Sequence, residues 1–194
     1  MMQAGDPSRE SHETDEALLT KVARRDQAAF EDLFRSYQRR LFRYLFGMVR
    51  DEAAVEELVC ETMTDVWRNA GTFQGRSRVS TWIFGIASNK AKTIMRRPKR
   101  EEADPEMIAR LEDPAPGPAA EMARRELASS VRAALELLTP EHRQVVELTF
   151  MHGFSYQEIA QIAGCPVNTV KTRMFHAKGR LRELLGGIVS REEV

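Results

Sequence analysis

The chain of 194 residues is 42% hydrophobic and 30% charged, and its basic and acidic residues balance to a formal net charge of zero. This length allows one large or two small domains. The longest apolar runs are only a few residues and the first 16 residues are polar and acidic. We therefore expect a cytoplasmic protein with no signal peptide and no direct membrane insertion.

The zero net charge hides an uneven distribution along the chain. Residues 1–16 carry a net charge of −4, residues 17–100 carry +8, residues 101–126 carry −5 and residues 127–194 carry +1. A basic segment between two acidic ones indicates that the partner is a polyanion such as nucleic acid.

The first part of the chain predicts an acidic tail followed by a helical domain. Residues 1–14 have the composition of a disordered tail. Over residues 15–98 apolar residues recur every three or four positions in three runs, which is the spacing of amphipathic helices. A turn-rich loop, 71–80, precedes the third run, which extends from Thr81 to Arg97.

The loop and the third helical run combine aromatic, amide, hydroxyl and cationic side chains. This mixture suits single-stranded DNA, because cations follow the phosphates, apolar pockets accept an unstacked base and an amide can read the edge of that base. The candidate residues are Phe73, Arg76, Ser77, Arg78, Ser80, Thr81, Trp82, Asn89, Lys90 and Lys92. The alternative is structural: the two aromatic residues belong to the core, and the arginines keep a surface loop soluble.

Residues 99–126 separate this domain from a second one. Five of the eight prolines lie between residues 98 and 120 and the segment is acidic, so we expect a flexible linker with at most a short helix. Helical spacing returns over residues 127–190, where Thr139 and Pro140 form a capped helix start. The predicted fold is all-α, with two small helical domains joined by the linker.

The second domain contains the pattern of a helix-turn-helix. Ser155 and Glu158 have the spacing of a capping box, Gly164 ends the first helix, and Pro166 suits the first turn of the next. Two helices joined by a short turn containing glycine fit the motif whose second helix enters the DNA major groove.

The second helix of this motif is basic. Between Pro166 and Arg182 there is no acidic residue, and the cations are Lys171, Arg173, Lys178, Arg180 and Arg182. The alternative to DNA binding is a solvated basic helix packed on the surface of a small bundle.

The sequence indicates neither a catalytic centre nor a metal site. It contains no glycine loop that could hold a phosphate and no nucleophile motif. Its two cysteines, Cys60 and Cys165, and its four scattered histidines lack the spacing of metal ligands. We therefore expect a protein that is not an enzyme and has no cofactor.

Four longer segments carry a family resemblance. They are AFEDLFRSYQRRLFRYL (29–45), EAAVEELVCETMTDVWRN (52–69), STWIFGIASNKAKTIMRR (80–97) and LELLTPEHRQVVELTFMHGFSYQEIAQIAGCPVNTVKTRMFHAKGRLREL (135–184). In this order they resemble the extracytoplasmic-function (ECF) family of bacterial sigma factors. The resemblance implies a dissociable subunit of RNA polymerase, with sigma region 2 in residues 15–98 and sigma region 4 in residues 127–190.

The resemblance also implies what region 2 would contact. Region 2 would bind the clamp of core RNA polymerase through Glu56, Glu57, Leu58, Glu61 and Asp65. Cys60 stands where many relatives have glutamine, so the sequence departs from the family at that contact. The single-stranded DNA candidates would then bind the promoter −10 element, with Asn89 reading a flipped base.

Region 4 would read the promoter −35 element as duplex DNA. The residues at the corresponding positions are Val167, Asn168, Thr169, Lys171, Thr172, Arg173, Phe175, His176 and Lys178. By family analogy an anti-sigma factor would hold the protein inactive. The competing hypothesis is an autonomous helix-turn-helix regulator, which would bind duplex promoter DNA without polymerase.

Overall fold

The computed structural model describes residues 7–96 and 128–189, and the regular secondary structure of these two stretches is helical. The first stretch forms α1 (Pro7–Ala23), α2 (Gln27–Val49), α3 (Glu52–Asn69) and α4 (Val79–Met95), with a 3-10 turn at Ala70–Thr72. The second forms α5 (128–136), α6 (Pro140–Phe150), α7 (Tyr156–Ala163) and α8 (Val167–Val189). The predicted all-α fold is confirmed. None of these helices is both long and apolar enough to cross a membrane.

Aspartate caps mark the starts of α2 and α3, and the first of them divides the first helical run in two. Before α2 the chain turns at Arg25, which has a left-handed φ of 69°. The Asp26 carboxylate then accepts a hydrogen bond from the Ala29 N–H at 3.0 Å. Asp51 caps α3 in the same way, accepting from the Ala54 N–H at 3.0 Å. Such caps satisfy N–H groups that have no partner inside the helix, and they therefore fix where each helix begins.

Two helix starts differ from the expectation based on sequence. α1 begins at Pro7, within residues 1–14, which were expected to be disordered. Proline suits this position because N–H groups of a first turn have no partner in the helix. α4 begins at Val79, ahead of the expected Thr81. The predicted linker, 99–126, lies outside the described residues.

The first domain packs α1 to α4 around one core. Its fully buried side chains include Leu33, Tyr37, Leu41, Leu45, Leu58, Met63, Ile83 and Phe84. The Tyr37 hydroxyl donates a hydrogen bond to the buried carboxylate of Asp15, which ties α1 to α2. Desolvation of this tyrosine, together with the nearby carboxylate, raises its pKa.

The two domains pack directly against each other, α7 on α4 and α6 on α2. The Arg143 guanidinium donates a hydrogen bond to the Gly47 carbonyl at 2.8 Å. The Gln144 amide donates to the Tyr44 hydroxyl at 2.7 Å and to the Ser88 hydroxyl at 3.1 Å. The protein is therefore compact, and its domain interface contains a buried polar network.

Candidate DNA and polymerase interfaces

The helix-turn-helix has the caps that its sequence predicts. The Ser155 N–H donates to the Glu158 carboxylate at 2.9 Å, while the Ser155 hydroxyl caps the Glu158 N–H, so both halves of the capping box are present. Gly164 ends α7 with a left-handed φ of 63°. This conformation costs glycine no steric strain. The predicted motif is therefore confirmed at both ends of α7.

α8 has one buried and one exposed side. Val170, Met174 and Ala177 are buried against the domain, in contact with α6 and α7. The −35 candidates lie on the rest of the helix: Asn168, Lys171, Thr172, Phe175, His176 and Lys178 are exposed, and Val167, Thr169 and Arg173 are half-buried. The sequence-predicted residues are thus brought together on one accessible surface.

The exposed side of α8 includes a row of rings. Phe175 is 74% exposed. The edge of its ring meets His176 at 5.6 Å, and His176 stacks on His142 of α6 at 6.1 Å between ring centroids. The chain therefore offers apolar and polar contacts side by side on this surface.

The −10 candidates differ in exposure. Arg76, Arg78 and Asn89 are exposed, Phe73, Ser77, Trp82, Lys90 and Lys92 are half-buried, and Ser80 and Thr81 are buried. The rings of Phe73 and Trp82 pack together with centroids 5.4 Å apart. This pair is both part of the domain's packing and open on one side to the solvent.

Three of the −10 candidates already have partners in the other domain. The Arg78 guanidinium lies 3.3 Å from the Glu158 carboxylate, which also accepts a hydrogen bond from the Thr81 hydroxyl at 3.1 Å. The Lys92 ammonium donates to the Ala163 carbonyl. These contacts join α4 and the loop before it to α7.

A fourth −10 candidate, Lys90, pairs with residues assigned to polymerase. Its ammonium lies 3.0 Å from Glu61 and 2.9 Å from Asp65 on α3. Partial burial lowers the pKa of Lys90, but hydrogen bonds to the two carboxylates outweigh burial and raise the pKa above its usual value. The lysine therefore remains charged and links the two candidate surfaces of the first domain.

The polymerase candidates lie along α3. Glu56, Glu57 and Glu61 are exposed and Asp65 is half-buried. Leu58 is only 1% exposed and belongs to the core. The structure thus brings the four carboxylates to the surface and places the leucine beneath them. No group of metal-binding side chains occurs in residues 7–96 or 128–189.

Sequence reasoning missed a pair of titratable residues in the domain interface. Glu147 is 8% exposed, and its Oε2 atom has no hydrogen-bond partner among the residues described. Desolvation raises its pKa to about 7. His152 is half-buried with its ring 4.9 Å from Phe84 of α4, and desolvation lowers its pKa to about 4. The signal in the sequence that could have pointed to Glu147 is its position between Val146 and Leu148, inside an apolar run.

Comparison with known proteins matches both domains to one family. The model of Sigma-70 region 2 matches residues 33–101, and that of Sigma-70, region 4 matches residues 128–181. The ECF RNA polymerase sigma-E factor of Escherichia coli K12 is 32% identical over 174 residues, which are 85% of this chain and 91% of that protein.

Solved structures show the same fold. CnrH, solved in complex with the cytosolic domain of CnrY, is 25% identical and superimposes with a TM-score of 0.66 over 90% of this chain and 98% of its own. The sigma factor RpoE of Bartonella quintana, solved with the anti-sigma factor NepR, is 24% identical with a TM-score of 0.63, covering 81% and 96%. With both regions matched and a relative aligned along most of its length, the chain belongs to the ECF family of bacterial sigma factors.

Proposed function

We propose that this sigma factor directs core RNA polymerase to its promoters through two DNA contacts, one with duplex at −35 and one with melted strand at −10. It contributes recognition and has no catalytic activity of its own. Because core polymerase and promoter DNA are both in the cytoplasm, the protein acts there.

The exposed side of α8 is the observation that carries the −35 contact. A major groove admits one α-helix, and here the helix presents Lys171, Thr172 and His176 to it from a side that the bundle leaves open. None of these side chains is a guanidinium fork. Phosphate contacts and DNA shape should therefore contribute more than bidentate reading of bases.

The loop and α4 support the −10 contact. Arg76 and Asn89 are exposed, so they can reach a phosphate and a base edge without rearrangement. The half-buried pair of Phe73 and Trp82 supplies an aromatic wall for an unstacked base, since every base can stack on an aromatic face.

Two protein partners complete the proposal. The exposed carboxylates of α3, Glu56, Glu57 and Glu61, suit a basic surface on the polymerase clamp, with Leu58 holding the helix in place from below. An anti-sigma factor is expected as well, because the similar fold of RpoE was solved with one.

Run-off transcription with purified core polymerase and a library of genomic promoter fragments tests this function. We expect transcripts that depend on the protein and share a −35 and a −10 motif. The absence of such transcripts, together with no association with core polymerase in a native gel, would contradict the proposal. Equally specific binding to duplex promoters without polymerase would favour the autonomous regulator instead.

A further inference from the structure

A histidine on α6 belongs to the row of rings on the exposed side of α8. The ring of His142 stacks on that of His176 at an interplanar angle of 29°, with centroids 6.1 Å apart. The edge of the Phe175 ring meets His176 at 5.6 Å and 75°. Both distances are within the range in which aromatic rings attract each other. His176 therefore contacts two rings, and one of them comes from a different helix.

Local structure fixes the place of His142 beside α8. The Thr139 hydroxyl caps the start of α6 by accepting a hydrogen bond from the His142 N–H at 3.4 Å. Val145, three residues later, is fully buried, as is Ala177, the neighbour of His176 on α8. Because the two helices pack against each other, the cap and the core hold the backbone of His142 at the edge of the exposed side of α8.

His176 alone would be free to change its orientation. It is exposed on α8, and exposed side chains exchange rotamers rapidly. Immobilising such a side chain when a partner binds lowers the affinity by about two- to tenfold. A ring from a neighbouring helix that restricts the side chain before binding removes part of this cost.

We propose that His142 is a positioning residue for −35 recognition, which stacks on His176 and holds its ring in the orientation that meets the DNA. This role rests on the proposed function, because it takes His176 as a residue that faces the −35 element. It extends that function to α6, a helix outside the helix-turn-helix, as a determinant of base preference.

The chemistry of the row suits a base edge. In the major groove an apolar side chain such as Phe175 can contact the methyl group of thymine, and base edges offer acceptors to a ring N–H such as that of His176. A ring held in one orientation favours one base pair, whereas a mobile ring can also reach neighbouring acceptors and phosphates. Loss of His142 should therefore lower base preference more than total affinity.

Three variants separate the stacked ring from other effects of His142. His142→Ala removes the ring. His142→Phe keeps a ring that can stack on His176 but has no ring nitrogen, so it retains the positioning role and loses any direct hydrogen bond to DNA. Glu141→Ala is the matched control, because it truncates the preceding residue of α6, which is exposed.

The measurement is competition binding of holoenzyme, assembled from core polymerase and the full chain. The DNA is a promoter found by run-off transcription, together with versions that each change one −35 base pair. We expect His142→Ala to lower the preference at one base pair by about two- to tenfold, at the position where His176→Ala also lowers it. His142→Phe and Glu141→Ala should keep the wild-type preference. The ratio of two affinities of one protein does not depend on its folded fraction, so a loss of stability leaves this readout unchanged.

The double variant His142→Ala/His176→Ala tests whether the two rings act as one unit. Residues in contact that serve the same interaction are not additive, so the double variant should lose no more preference than His176→Ala alone. Additive losses would overturn the positioning role. An unchanged preference in His142→Ala or in His176→Ala would do so as well, and so would an equal loss in His142→Phe or in Glu141→Ala.

Run-off transcription by the wild type keeps this role apart from the proposed function. Failure of the wild type to direct transcription contradicts the proposed function itself. Normal transcription, with a loss of preference in His176→Ala but none in His142→Ala, contradicts only the role of His142.

Discussion

At the scale of single residues, Lys171 is where we expect the clearest loss of −35 recognition. Its side chain is exposed on α8, and Lys171→Glu replaces a cation by an anion next to DNA. The lost phosphate contact and the added repulsion should weaken −35-dependent initiation by about tenfold. Binding to core polymerase should be unchanged. Run-off transcription and a native gel with core polymerase measure the two effects.

Lys21→Glu provides the control for this charge reversal. Lys21 is exposed on α1, outside every surface assigned to DNA or polymerase, and the change in net charge is the same. An equal loss in both variants would show that net charge, and not a −35 contact, is responsible. Normal initiation by Lys171→Glu would remove this residue from the DNA interface.

The exposure of the −35 candidates could be predicted from sequence, whereas the partners of the −10 candidates could not. The spacing of Val170 and Met174 determines which side of α8 faces the bundle, and the rest follows from helical geometry. Lys90 pairs with Glu61 and Asp65 across two helices. Periodicity within one helix says nothing about which charged residues of its neighbour lie opposite.

At the scale of elements, the capping box contributes to the stability of α7. This helix has only eight residues, too few to be stable in isolation, so each satisfied N–H at its start matters. Ser155→Ala removes the hydroxyl that caps the Glu158 N–H and should lower the free energy of unfolding by about 1 kcal/mol. Urea unfolding followed by circular dichroism measures this change.

Ser155→Thr is the matched variant, because it keeps a hydroxyl at the cap and should retain most of the stability. Equal midpoints for the alanine and threonine variants would mean that the hydrogen bond seen between Ser155 and Glu158 does not stabilise the helix.

Most helix boundaries could be predicted because they depend on local chemistry. Thr139 caps α6, and Gly164 ends α7, as the sequence indicates. The start of α1 was not predicted, because an acidic, polar stretch has the composition of a tail whether or not it is helical. The break before α2 was also missed, since Arg25 adopts a left-handed conformation that is uncommon for a residue other than glycine.

At the scale of the whole molecule, the packing of the two domains lay beyond sequence reasoning. The hydrogen bond from Gln144 to Tyr44 joins residues that are 100 positions apart, and no periodicity relates them. The sequence predicted two domains and a linker between them, but not that a buried polar network would connect those domains. Such networks are costly when only partly satisfied. In this interface the buried Oε2 atom of Glu147 has no hydrogen-bond partner among the described residues.

Two titratable side chains of this interface have pKa values shifted in opposite directions. Desolvation raises the pKa of Glu147 from its ordinary value of 4.5 to about 7, against the attraction of two nearby arginines. Desolvation, together with the charges of Arg40 and Arg43, lowers the pKa of His152 from 6.5 to about 4. The compact form therefore holds a proton on the glutamate and none on the histidine. In separated domains with ordinary pKa values, the glutamate is ionised and the histidine is protonated between about pH 4.5 and pH 6.5.

When the domains separate, Glu147 releases a proton and His152 binds one. Because these two changes nearly cancel, the equilibrium between compact and separated domains in the wild type should change little between about pH 5 and pH 6.5. In Glu147→Gln only His152 titrates, and the compact form should lose stability as the pH falls below 6.5, by up to about 1.4 kcal/mol per pH unit. In His152→Phe only Glu147 titrates; because its pKa is raised, its contribution is complete below pH 4.5 and is lost as the pH rises through about 7. Energy transfer between a dye on the exposed Cys60 and a dye on Arg182→Cys, in a Cys165→Ser background, measures domain separation in all three proteins over a pH series. Identical profiles would show that neither side chain titrates with domain separation.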